Sequence, residues 1–146
     1  MTETTTLTNT SADALSRTLG LVRRIEMDPA GRAVLEYEAG MHMCHSGGVV
    51  QGGFVSGWID AAMAHAIIAR SGVDMVPMSL ELKVSFFKPA RPGKVIAEGW
   101  VERAGGSTCF TEGRLLDGAG EVLAKASSTI RLVPRERVEA SARKAI

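Results

Sequence analysis

The sequence predicts an α+β domain in which a curved antiparallel sheet wraps around one long central helix. Three observations carry this expectation. Between Phe54 and Ala69 the only polar side chains are Ser56, Asp60 and His65, and a helix that apolar is buried on most of its sides. Two strand-like runs precede it, and four follow with no further helical pattern. A single apolar helix needs a partner surface on more than one side, and a strongly curled sheet supplies it.

At 146 residues the chain fits one domain with one core. The first segment, over 1–11, is rich in Thr and Asn and reads as a frayed, flexible N-terminal arm. Ser11 suits the N-cap of a short helix over 12–19, with Leu15 and Leu19 one turn apart. Strands over 21–27 and 32–39 flank Asp28-Pro29-Ala30-Gly31, a tight turn. In the second strand Ala33, Leu35 and Tyr37 share one face. Residues 40–51 read as loop. Gly52-Gly53 opens the apolar helix, and Ser71-Gly72 ends it. Over 76–87, Met78, Leu80, Leu82, Val84 and Phe86 alternate with Ser79, Glu81, Lys83 and Ser85. The turn 88–93 contains two prolines, which cannot donate to a ladder. Strands over 94–103, 108–116 and 121–133 complete the set, the last two joined by the hairpin signal Asp117-Gly118-Ala119-Gly120. On the last strand Val122, Ala124, Ala126, Ser128, Ile130 and Leu132 share a face. The domain thus spans 12–133, and 134–146 is a basic tail with the composition of a helical end.

A formal charge of +1 gives no general attraction to nucleic acid or to a membrane surface, and neither is expected as a partner. No membrane span is expected. The N-terminus lacks the basic and apolar regions of a signal peptide, and Cys44 and Cys109 form no disulfide framework, so the expected compartment is the reducing cytoplasm.

Two features carry candidate chemistry. A helix start has N–H groups without intrahelical partners and a partial positive charge. Gly52 and Gly53 let another group approach those donors, and the oxyanion that develops on an ester-type carbonyl is a suitable guest; the same glycines also serve a plain loop-to-helix turn. Asp60 lies in so apolar a helix that its carboxylate is paired, hydrogen-bonded or functional. It sits about 12 Å along the axis from Gly52. That separation is too long for one helix to serve both groups, so a site shared between two copies is physically sensible. The alternative is a thin polar stripe of Ser56 and Asp60. His42, His45 and His65 match no metal-ligand spacing, and no metal is expected. No Gly-x-Ser-x-Gly elbow, Walker loop or Gly-x-Gly-x-x-Gly fingerprint occurs.

The segment His45-Ser-Gly-Gly-Val-Val-Gln-Gly-Gly-Phe-Val-Ser-Gly-Trp-Ile-Asp60 resembles the signature of hot-dog acyl-CoA thioesterases. It is most similar to the phenylacetate-pathway and 4-hydroxybenzoyl-CoA thioesterase branch. The stretch from Ser79 to Gly93 and the last two strands extend the resemblance over about 20–133. The resemblance implies an acyl-CoA thioesterase with no cofactor beyond the CoA of its substrate. It implies a homodimer as the minimal active unit and a homotetramer as the usual assembly. Gly52 would then donate its N–H to the thioester carbonyl, and Asp60 of the neighbouring subunit would be nucleophile or general base. His45 stands where the family often has Asn, Gln51 replaces a common histidine, and Ser79 matches a serine that helps place water or the carboxylate. Ala64 lacks the hydroxyl found one turn after the acid in some members. Phe54, Trp58 and Met78 would line the acyl pocket beside Gly53, and Lys88, Arg91 or Arg103 would meet the CoA phosphates. The alternatives are a non-catalytic acyl-CoA-binding domain and a hot-dog dehydratase or hydratase, which His45 leaves open.

Overall fold

A computed structural model describes residues 14–145. The expected arm over 1–11 lies outside these residues, as do the first two positions of the helix expected over 12–19; residues 14–19 are helical (α1). Strands β1 (Leu21–Asp28) and β2 (Arg32–Ala39) form the anticipated hairpin. Asp28 closes its turn, accepting the Ala30 N–H on Oδ1 and the Gly31 N–H on its carbonyl. The segment read as loop contains a two-rung hairpin, β3 (Cys44–His45) and β4 (Val49–Val50), whose strands are too short to show an alternating pattern. The central helix α2 (Gly52–Ser71) follows. Then come β5 (Met75–Phe86), β6 (Gly93–Ala104), β7 (Thr108–Asp117) and β8 (Val122–Pro134). The basic tail forms α3 (Arg135–Ala145).

Six strands make one antiparallel sheet in the order β1-β2-β6-β7-β8-β5, and α2 touches all six. By length and composition α2 passes for a membrane span, but its contacts are those of a core helix. Val55, Trp58, Ile59, Ala62, Met63, Ala66 and Ile67 are buried, a stripe at three- and four-residue intervals. Burial on most sides was expected; in the single chain only this stripe is fully covered. Tyr37 packs on Trp58, with ring centroids 5.9 Å apart, and the Trp58 indole N–H donates to the Leu19 carbonyl at 2.7 Å. The inward faces anticipated for β2 and β8 are buried, Ala33, Leu35 and Tyr37 on one and Ala124, Ala126, Ser128, Ile130 and Leu132 on the other.

The middle of the sheet meets α2 without intervening side chains. Gly99 of β6 pairs with Gly113 of β7. A methyl group on Gly99 would lie 2.5 Å from the backbone of Ala62 and Met63, and one on Gly113 would lie 2.7 Å from Ile59 Cγ2. Two glycines side by side therefore let the helix lie directly against the strands.

Strand β5 departs from its expected alternation. A register shift between Ser79 and Glu81 inserts Leu80 as a surplus residue against β8. Directly opposed residues of an antiparallel pair share a face. Ser79 is opposite Ile130 and Leu82 is opposite Ser128, so Ser79 joins Leu82, Val84 and Phe86 on the side facing α2. Met78, opposite Arg131, falls on the outer side. There it lines a cavity of about 440 Å³ with Val133 and, from α3, Val138 and Ala142. Met78 is thus placed away from the acyl pocket expected for it. Buried Ser128 donates through Oγ to the Glu81 carbonyl at 2.7 Å, and buried Thr111 donates to the Ser128 carbonyl at 3.0 Å. The first of these hydroxyls serves the carbonyl of the residue that follows the bulge.

Candidate active site

Asp60 is half-buried on the side of α2 that faces β5. Ser79 Oγ donates to Asp60 Oδ1 at 2.8 Å. A hydrogen bond to a carboxylate is among the stronger neutral-to-charged contacts and fixes the orientation of the acid. The bulge at Leu80 creates this contact, because strict alternation would turn Ser79 to the other face.

The N-terminus of α2 forms a second centre. Gln51 is the N-cap, and its Oε1 accepts the Gly53 N–H at 2.8 Å. The Phe54 N–H donates to the Gln51 carbonyl at 3.0 Å. Among the described residues the Gly52 N–H has no protein acceptor. Gly52 is half-buried beside the Phe86 ring, where a methyl group would lie 3.3 Å from Cζ. It lines an open cleft of about 340 Å³ with His45, Val55, Phe86, Phe87 and Lys88. Phe54 is not in that lining; its ring stacks toward Trp58, 6.3 Å between centroids. Gly53 lies beneath the Gln51 side chain, where a methyl group would meet Oε1 at 2.6 Å.

The structure brings Gly52 and His45 together at one cleft and Asp60 and Ser79 together at another place. Within one chain it does not unite the two. About two helical turns separate Gly52 from Asp60. Of the three basic candidates, Lys88 is exposed and ion-paired with Glu121, whose hydrogen bond holds the ammonium above its usual range. Arg91 donates from Nη1 to the Gly47 carbonyl at 3.1 Å. Arg103 lies near the far end of β6, nine residues and roughly 30 Å of strand from Lys94. Sequence reasoning missed Lys94, which lines a neighbouring cleft of about 460 Å³ that shares Lys88 with the first. Its place on the strand beside the 88–93 turn was the available signal.

His65 lies on α2, half-buried, with Nδ1 at 2.7 Å from the Ala61 carbonyl. Burial pushes its imidazole below the ordinary histidine range. That is a helix side chain satisfied by its own backbone. Among the described residues no three His, Cys, Asp or Glu side chains converge on a common point.

Comparison with known proteins gives a consistent family. Residues 47–124 match the model of the thioesterase superfamily. A protein of Saccharolobus solfataricus provisionally named an esterase is 33% identical over 97 residues, covering 66% of this chain and 68% of that one. A Ralstonia eutropha JMP134 protein, provisionally named a thioesterase related to phenylacetic acid degradation, is similar in structure. It is 29% identical, has a TM-score of 0.73, and the match covers 81% of this chain and 89% of that one. The E. coli PaaI protein of the phenylacetic acid degradation operon shares the fold at 20% identity. Its TM-score is 0.76, with 84% of this chain and 86% of that one covered.

Proposed function

Because the chain belongs to the thioesterase superfamily, we propose that it hydrolyses the thioester of an acyl-CoA to a free acid and CoA. The observation that carries this reading is Asp60, a half-buried carboxylate on the core helix, held by Ser79. The Gly52 N–H and the helix dipole stabilise charge on the thioester oxygen. The carboxylate then acts by one of two routes, taking a proton from water or attacking the carbonyl to form an anhydride that water opens. Over either complete route the carbon–sulfur bond breaks, a carbon–oxygen bond to the water oxygen forms, and one proton of that water ends on the departing sulfur as the thiol. His45 faces the cleft from the β3–β4 hairpin, where its imidazole can orient water or substrate. The nucleotide end of CoA lies toward Lys88 and Lys94.

The acid reaches the cleft from a second copy. Strand β5 is a sheet edge with Leu80 62% and Phe86 55% exposed. An exposed apolar edge is a template for pairing. Two β5 strands related by a two-fold axis through Leu82 would place Leu82 opposite itself. The bulge consumes one residue, which sets Ser79 of one copy opposite Val84 of the other, two residues from the Phe86 that borders Gly52. Asp60 then faces the Gly52 cleft of its neighbour.

Two variants test the reading together. Asp60→Asn is expected to cut thiol release from acyl-CoA by about 10²–10⁴ in kcat with the fold intact. Gly52→Val, which crowds its own cleft, is also expected to be inactive. Mixing the two, unfolding and refolding them together, is expected to restore turnover, because each mixed dimer keeps one cleft and one acid. Unchanged turnover in Asp60→Asn would reject hydrolysis by this acid. Tight acyl-CoA binding without turnover in the wild type would mark a binding domain instead. Double-bond hydration without thiol release would mark a hydratase.

A further inference from the structure

The geometry points to Arg91 as a positioning residue: it latches the β3–β4 hairpin, and with it His45, against the substrate cleft. This inference rests on the function proposed above and moves Arg91 out of the set expected to meet CoA phosphates. The hairpin is joined to the 88–93 turn at two points. At its base the Val50 N–H donates to the Ala90 carbonyl at 2.9 Å, and Ala90 is buried. At its tip the Arg91 guanidinium donates to the Gly47 carbonyl at 3.1 Å, across 44 residues of sequence.

The tip has little else to hold it. Gly47 and Gly48 both have positive φ, 74° and 71°, and a side chain built at either would meet nothing within 4 Å. Neither glycine has a side chain to anchor the turn, and the space such a side chain would fill is open. His45 is the first residue before that turn, paired with Val49 across it, and it lines the cleft with Gly52. Its ring position relative to the Gly52 N–H thus depends on where the tip sits. A shift of about 1 Å in a group near reacting atoms is enough to lower a rate by up to about 10²-fold. Arg91 suits this task, since its planar fork keeps a fixed direction to a carbonyl while remaining charged.

Arg91→Ala separates a latch from a phosphate contact. Benzoyl and butyryl thioesters are each presented on CoA and on N-acetylcysteamine, which has no phosphates. A latch predicts a loss in kcat on the order of tenfold on both carriers, with KM for the CoA thioester little changed. Amide hydrogen exchange is expected to quicken at 45–49 and to stay unchanged in α2. A loss confined to KM for the CoA thioesters, or unaltered exchange at 45–49, would overturn the proposal. Should the wild-type protein hydrolyse none of the four thioesters, the proposed function fails, while the exchange experiment still decides whether Arg91 holds the hairpin.

Discussion

Tyr37 shows how far a single buried residue can be followed. Its ring is 2% exposed against Trp58. Burial pushes its phenol up to about 12 from an ordinary 10.0, against a smaller opposing pull from Arg24. The neutral phenol is therefore favoured more in the folded chain than in the unfolded one. Its contribution is fully present below pH 10 and is lost as the pH climbs toward 12. Two units correspond to roughly 2–3 kcal/mol. Urea unfolding of the wild type at pH 9 and pH 11.5 is expected to show that loss, and Tyr37→Phe is expected to remove most of the difference. Equal pH dependence in the two proteins would reject it. At the same scale, Asp60 was legible because a carboxylate in an apolar helix demands an explanation. Arg91 was not, since a basic residue in a turn looks alike whether it meets a phosphate or a carbonyl.

The Gly99–Gly113 pair fixes how close α2 lies to the sheet. Gly99→Ala forces a methyl group into the helix backbone, which cannot rotate away as a side chain would. Overpacking of this kind typically costs about 1–3 kcal/mol. A lower denaturation midpoint with unchanged denaturant slope is the expected outcome. A midpoint equal to that of the wild type would show that the layers have room to separate. The strands themselves were legible to within a residue or so, because turn residues and alternation mark them independently. The bulge in β5 was not. Its one trace was Ser128, a hydroxyl on an otherwise apolar inward face, whose partner is the Glu81 carbonyl. A two-residue strand such as β3 or β4 has no period to detect, so the hairpin carrying His45 read as loop.

At the scale of the whole molecule, one chain holds the acid and the Gly52 cleft apart, and the function proposed above brings them together across two copies. Leu82→Glu puts a charge against its own symmetry mate in the proposed register, where like charges repel. Sedimentation is expected to shift from dimer to monomer, with thiol release lost in parallel; a monomer that keeps full activity would place the acid and the cleft within one chain. Leu80 carries a last consequence. Ser79 meets Asp60 only because the strand has one residue to spare, so this contact depends on spacing as much as on residue type. Aligning the chain without a gap to a relative whose strand runs straight would match Ser79 to a side chain on the opposite surface. The serine would then look absent from the relative while its true counterpart stood one place away.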